Sequence, residues 1–138
     1  MVCFRPMKRF VALYAAALML TACAGSPIKV AQTVEQKAYA AYGTYVITAE
    51  HAAQLTSPQS KLPQAVKLQI IQLSQRSQPV VDSMLKGFQA YETARADFDA
   101  KKIDESALAV TVRNLDSWVN QAALVIENLV SAVRGAGK

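Results

Sequence analysis

The sequence is poor in the residues that most often build catalytic and metal sites. Its 138 residues include one histidine, His51, and two cysteines, Cys3 and Cys23. None of its five glycines belongs to a phosphate-binding loop, and no HExxH, CxxCH or GxSxG motif occurs. These absences argue against a thiolate or histidine metal site, covalently attached haem and the common nucleophilic hydrolases. We therefore predict no enzymatic activity and no cofactor.

The N-terminal segment carries the clearest pattern in the chain. Lys8 and Arg9 are followed by an uninterrupted apolar run from Phe10 to Leu20. The run is much shorter than the roughly 20 residues that a helix needs to cross a bilayer, and a basic flank before a short apolar segment is typical of a secretory signal. We interpret residues 1–22 as a signal peptide, with Met7 as an alternative start of translation.

The next residues, Leu20-Thr21-Ala22-Cys23, resemble the lipobox of bacterial lipoproteins. The resemblance implies cleavage between Ala22 and Cys23, a diacylglycerol on the Cys23 thiol and an acyl chain such as palmitate on its new amino group. Several acyl chains hold a protein at a membrane far more firmly than one chain does. The following position is Ala24 rather than the aspartate that favours the inner membrane. The resemblance therefore implies the periplasmic face of the outer membrane, if the organism has two membranes.

Removal of the signal changes the charge and the thiol content of the chain. The formal net charge is +5, but Arg5, Lys8 and Arg9 leave with the signal, so 15 basic residues become 12 against 10 acidic ones. A balance this close to neutral gives no reason to expect nucleic acid as a partner. Cys3 is removed and Cys23 is lipidated, so no thiol is left for a disulfide.

The mature chain has helical patterning after a short tether at residues 23–27. Apolar residues recur at steps of three and four over residues 28–138, and no stretch alternates with the period of a strand. The pattern predicts an all-α domain, an antiparallel three-helix bundle with coiled-coil-like stripes and helices of about 30 residues. Pro79 lies inside the second helix, which we expect to kink there because its stripe keeps its register. A break at Pro79 would give four helices.

Each predicted helix has one apolar stripe and recognisable ends. The first helix begins at Ser26 or at the capping box of Thr33 and Gln36, and the third begins after Asp104 and stops at Gly135. The stripe of the first helix contains Val30, Val34, Ala38, Ala41, Tyr45, Thr48, Ala52 and Leu55, with Tyr39, Tyr42 and Tyr45 at its border. The stripe of the second contains Val66, Ile70, Leu73, Ser77, Val80, Met84, Phe88, Tyr91, Ala94 and Phe98. The stripe of the third contains Leu108, Val112, Leu115, Val119, Ala122, Ile126, Leu129 and Val133.

Charge is unevenly distributed before and along the second helix. No acidic residue occurs between Glu50 and Asp82, and the stretch is rich in glutamine. Its basic residues are Lys61, Lys67 and Arg76. This surface is either a solvated face or a docking site for an envelope protein or anionic head groups. Trp118 is either a filler at the edge of the core or an interface anchor. The candidate interface residues are Gln69, Gln72, Arg76 and Trp118.

Two functions are consistent with these patterns. The lipobox and the lack of catalytic motifs predict a non-enzymatic, membrane-anchored envelope lipoprotein with a structural or protein-interaction role. The alternative is a carrier that holds haem or another small apolar molecule inside the bundle, for which His51 and Met84 are the only candidate pair of axial ligands.

The chain also resembles the major murein lipoprotein in a lipidated cysteine, a helical repeat and a terminal lysine, here Lys138. In that family the final lysine is joined to peptidoglycan, and the protein is one long helix that trimerises. Loop signals near Pro58 and Asp104 predict instead that this chain folds back on itself. We therefore do not expect attachment to peptidoglycan through Lys138.

Overall fold

Three helices make up most of residues 33–138, the part of the chain that this computed structural model describes. They are α1, Val34–Thr56, α2, Gln64–Asp99, and α3, Glu105–Ala136. No strand occurs within residues 33–138, and the predicted three-helix bundle is confirmed. The signal segment, Ala22, Cys23, the alternative helix start at Ser26 and the first stripe residue, Val30, lie outside the described residues.

Side-chain caps fix the starts of α1 and α3 as the sequence predicts. The Thr33 hydroxyl accepts a hydrogen bond from the Gln36 backbone N–H at 3.1 Å, and the Gln36 side chain accepts one from the Thr33 N–H at 3.2 Å. Asp104 accepts from the backbone N–H of Ala107 at 2.8 Å. Each cap satisfies donors that the first helical turn leaves without an intrahelical partner.

The predicted stop of the third helix at Gly135 is wrong. The helix continues through Gly135 to Ala136, and the N–H of Gly137 donates to the carbonyl of Val133 at 3.2 Å. A glycine inside a helix lowers its stability by at most about 1 kcal/mol relative to alanine. A glycine therefore ends a helix only where the following backbone leaves the helical path. Here the chain keeps helical hydrogen bonding for one further residue.

Pro79 does not break α2, so there are three helices and not four. The helix is continuous from Gln64 to Asp99 with Pro79 inside it. Proline removes the hydrogen bond to the carbonyl four residues earlier, which belongs to Gln75. Both Pro79 and Gln75 are exposed, so this carbonyl lies on the solvent side of the helix, where losing the bond costs least.

The turn between α2 and α3 has a backbone cap that no glycine marks in the sequence. Lys101 adopts a left-handed conformation with φ of 57°, and the N–H of Lys102 donates to the carbonyl of Asp97 at 2.8 Å. This six-to-one bond around a left-handed residue is the Schellman arrangement, which satisfies carbonyls at the end of a helix. It reverses the chain so that α3 returns along α2.

Helices that follow one another in the chain run antiparallel, so α1 and α3 run parallel. Glu35 in the first turn of α1 contacts Tyr91 and Arg95 near the end of α2. Ser77, closer to the middle of α2, lies within 3.4 Å of the carbonyl of Val125 in α3. Lys37 and Asp116 join α1 to α3 at 3.3 Å.

The core combines small residues from α1 with large residues from α2 and α3. The first helix contributes alanines at 38, 41 and 52, which let the other two helices approach closely. The large, fully buried side chains are Ile70, Val81, Met84, Leu115, Val119, Ile126 and Leu129. The predicted stripe of the third helix is therefore confirmed from Leu115 to Val133, and that of the first at Ala38, Ala41, Thr48 and Ala52.

The predicted stripe of the second helix needs two corrections. Val81 is fully buried where Val80 was expected, and Val80 is only half-buried. The buried arc of α2 is wider than one stripe, because this helix contacts both of its neighbours. Phe98 is exposed because it lies past Arg95, which already faces the first turn of α1.

Candidate functional site

Three of the candidate interface residues lie on the side of α2 that adjoins α3. Gln69, Gln72 and Arg76 are exposed and share one helix face, since they are three and seven residues apart. Gly87 lies five full turns after Gln69 on that same face, and it contacts α3. We name this surface, with Trp118 of α3, the α2–α3 surface.

Trp118 spans the seam between these two helices. A Cβ atom on Gly87 would lie 3.3 Å from Cδ1 of Trp118, so the indole ring rests directly on the α2 backbone. The side chain is nevertheless 37% exposed. Trp118 therefore serves both as a packing residue at the core edge and as an exposed aromatic surface. It lies about 16 Å along α2 from Arg76, because 11 residues separate Gly87 from Arg76 at about 1.5 Å each.

Lys67 does not belong to this surface, contrary to its place in the predicted basic stretch. Its side chain is buried, and its Nζ donates to the carbonyls of Ser57 at 2.9 Å and Ser60 at 2.7 Å. These carbonyls belong to the loop after α1, where the helix dipole favours a positive charge. Lys67 therefore ties the α1–α2 loop to α2, and Arg76 and Lys61 are the exposed basic residues of the stretch.

A second cluster joins the first turn of α1 to the last turns of α2. The Tyr91 hydroxyl and the Arg95 guanidinium both donate hydrogen bonds to the Glu35 carboxylate. Burial, and then the hydrogen bond to Glu35, raise the pKa of Tyr91. The nearby carboxylate also raises the pKa of Arg95.

This cluster forms one end of a surface groove of about 320 Å³ between α1 and α2. The rings of Tyr39 and Phe88 meet edge to face with centroids 5.0 Å apart, and Tyr91 lies 6.2 Å from Phe88. Aromatic walls beside carboxylates suit a flat or cationic group. The groove is lined by Glu35, Tyr39, Phe88, Tyr91, Glu92, Arg95, Ala96 and Asp99.

Sequence reasoning missed this groove. Each ring belongs to a helix that was predicted correctly, and Phe88 and Tyr91 are members of a predicted stripe. The groove depends on which turn of α1 faces which turn of α2, and that alignment is a property of the packed bundle. No local signal in the sequence indicates it.

The structure separates the two residues considered as haem ligands. Tyr39 of α1 contacts Phe88 of α2, so this contact marks the same level on both helices. From that level, Met84 lies about 6 Å along α2, and His51 lies about 18 Å along α1 in the same direction. The backbone positions of the two residues are therefore about 12 Å apart along the bundle. His51 is also exposed, whereas Met84 is fully buried in the core. The fold therefore does not bring these two residues together at one site.

The described region was also searched for metal-ligand clusters and for membrane-spanning helices. Among residues 33–138, no three His, Cys, Asp or Glu side chains are grouped so that they hold a metal ion. In the same part of the chain, no helix is both long and apolar enough to cross a membrane.

Comparisons with family models, with curated proteins and with solved structures found no match to this chain.

Proposed function

We propose that this chain is the precursor of a bacterial envelope lipoprotein, a non-enzymatic helical bundle that is held at a membrane by acyl chains on Cys23 and binds a protein partner. The observation that carries the proposal is the segment from Lys8 to Cys23, with its basic flank, short apolar run and lipobox. The first helix is capped at Thr33, ten residues later. Anchor and folded domain are therefore joined by a short tether.

The α2–α3 surface is the proposed docking site for that partner. It combines an exposed tryptophan with glutamines and an arginine, residue types that hydrogen-bond without strong charge repulsion. Tryptophan and arginine are enriched among the residues that contribute most to binding energy. Because Trp118 rests on Gly87, its ring is already ordered, and little conformational entropy is lost when a partner covers it.

Replacing Cys23 with serine tests the anchor. The Cys23→Ser chain is expected to keep the precursor size and to lose metabolic labelling with palmitate, because no thiol accepts the diacylglycerol. The matched control is Cys3→Ser, the same chemical change inside the signal, which is expected to leave processing and labelling unchanged. If the Cys23→Ser chain is labelled and processed as the natural chain is, the proposal fails.

Site-specific photo-crosslinking in cells tests the docking surface. A photoreactive residue at Gln72, on the α2–α3 surface, is expected to capture one discrete envelope protein. The matched control is Gln54, a glutamine of α1 that is also exposed. Capture of the same protein from both positions, or from neither, would contradict this assignment of the surface.

One observation supports a second candidate function, the binding of a small ligand. The groove between α1 and α2 is about 320 Å³, which reaches the lower end of the range of about 300–1,000 Å³ seen for ligand pockets. The ligand would lie in this surface groove rather than among the fully buried core residues. A small molecule that co-purifies in stoichiometric amount with the natural protein, and is lost from a Phe88→Ala variant that keeps its helix content, would favour this function.

A further inference from the structure

The outward side of α1 is apolar over about three turns. No charged residue occurs at positions 38–49, between Lys37 and Glu50. Within this stretch Tyr39 is 63% exposed, Tyr42 42%, and Ile47 60%. Solvent therefore reaches large apolar side chains where a surface helix normally carries charges.

These residues form a second stripe, distinct from the one that packs in the core. We call it the α1 outer face, and it consists of Tyr39, Tyr42, Gly43, Val46 and Ile47. Their spacing of three, four, seven and eight residues places them on one side of the helix. The buried residues of the same helix, Ala38, Ala41, Thr48 and Ala52, form the opposite stripe. Apart from the contact between the rings of Tyr39 and Phe88, the α1 outer face is exposed to solvent.

The length of chain before α1 indicates what lies near this face. Ten residues from Cys23 to Thr33 span at most about 35 Å when fully extended. Along the helix axis, Tyr39 lies about 9 Å and Ile47 about 21 Å from Thr33. The whole face is therefore within reach of the point where the acyl chains of Cys23 enter a bilayer.

The size of the face decides between a membrane and a second copy of the chain. The nine residues from Tyr39 to Ile47 rise about 14 Å along the helix, so a stripe about 10 Å wide covers roughly 140 Å². A stable protein interface usually needs about 800 Å² on each partner. A surface that a short tether already holds close to the bilayer needs far less contact area, because the tether raises its effective concentration there.

The side chains also match the chemistry of a lipid surface. Tyrosines concentrate at the level of the head groups, where the ring is buried in the acyl boundary and the hydroxyl reaches water. Val46 and Ile47 supply apolar area between the tyrosines and Glu50. Glu50 is exposed and ends the uncharged stretch. With no cation on the face, contact depends on apolar burial and not on anionic lipids.

We propose that the α1 outer face lies on the bilayer that holds the acyl chains of Cys23. This inference rests on the proposed lipidation of Cys23. The contact fixes the orientation of the bundle, because α1 and the seam between α2 and α3 are on opposite sides of a three-helix bundle. The α2–α3 surface, with Trp118, then points away from the membrane toward a partner.

Nitroxide accessibility in reconstituted vesicles tests the contact. The full chain is matured in a bacterium, purified and placed in vesicles of phosphatidylethanolamine and phosphatidylglycerol. One spin label is attached at Ile47→Cys on the α1 outer face, and another, in a separate variant, at Leu124→Cys on α3. Leu124 is a matched control, because it is 65% exposed against 60% for Ile47. The lipidated thiol of Cys23 does not react, so each variant carries a single label.

The label at Ile47 is expected to be at least about threefold less accessible to a water-soluble nickel chelate than the label at Leu124, and more accessible to oxygen dissolved in lipid. The difference should persist when phosphatidylglycerol is omitted and when the protein is diluted into excess lipid. Equal accessibility at the two positions would overturn the inference. Protection at Ile47 that disappears on dilution into lipid would also overturn it, because a second copy would then be the occupant.

Failure of the inference is distinguishable from failure of the lipidation. Flotation of the matured chain with the vesicles reports the anchor alone, and mass spectrometry of its N-terminal peptide reports the acyl chains. A floating, acylated chain with equal accessibility at Ile47 and Leu124 refutes only the contact. A chain that carries no acyl group on Cys23 refutes the proposed function, and the membrane contact with it.

Discussion

Replacement of Lys67 with methionine is expected to lower the stability of the bundle by about 2–3 kcal/mol. Lys67 is 9% exposed and makes two hydrogen bonds, to the carbonyls of Ser57 and Ser60. Hydrogen bonds from a charged group contribute about 1.5–3 kcal/mol each. Ser57 and Ser60 are half-buried, so water restores part of this loss, and the buried methionine side chain offsets a further part.

Thermal and urea unfolding of residues 24–138, followed by circular dichroism, measures this effect. For a domain of this size, 2–3 kcal/mol corresponds to a fall in Tm of about 10 °C. Lys61→Met is the matched control, since Lys61 lies in the α1–α2 loop itself and is exposed, and its effect should stay within about 0.5 kcal/mol. If the two variants have the same Tm and the same free energy of unfolding, Lys67 does not tie the loop to α2 as described.

Four further substitutions have expected outcomes that unfolding experiments measure. Gly43→Ala should stabilise α1 by up to about 1 kcal/mol, whereas Gly87→Ala should gain less or lose stability because its Cβ would lie 3.3 Å from Trp118. Lys101→Gly should raise stability by about 1 kcal/mol, because glycine adopts the left-handed conformation without the cost that lysine incurs. Asp104→Ala should lower Tm at neutral pH by removing the cap of α3.

The effect of Asp104 should depend on pH in a defined direction. The hydrogen bond from the Ala107 N–H, and then that from Ser106, lower the pKa of Asp104 below its usual value. The cap therefore contributes stability above the unfolded-state pKa, near 4, and loses it as the pH falls through the folded-state pKa. The difference in Tm between Asp104→Ala and the natural chain should shrink below about pH 4.

Different results would contradict each of these explanations. A Gly87→Ala gain equal to that of Gly43→Ala would show that Trp118 does not press on the α2 backbone. A destabilised Lys101→Gly variant would contradict the left-handed turn. A Tm difference for Asp104→Ala that is constant from pH 7 to pH 3 would contradict the cap.

The sequence by itself determined the elements of this fold that depend on local chemistry. Apolar residues at steps of three and four predict helices wherever they occur, and the regular stripe from Leu115 to Val133 is buried as predicted. Thr33, Gln36 and Asp104 mark helix starts because a short polar side chain accepts from the backbone only a few residues away. The continuity of α2 through Pro79 also followed from the unbroken register of its stripe.

Only the tertiary structure decided how residues far apart in the chain face one another. Lys67 was grouped with Lys61 and Arg76 by charge, but the return of α2 along the loop after α1 buries it against two carbonyls. The contact of Trp118 with Gly87 and the groove beside Tyr91 depend on the alignment of helices, which no local pattern encodes. The α1 outer face has helical spacing in the sequence, but its exposure follows from which stripe of α1 the other two helices cover, and that is decided by packing.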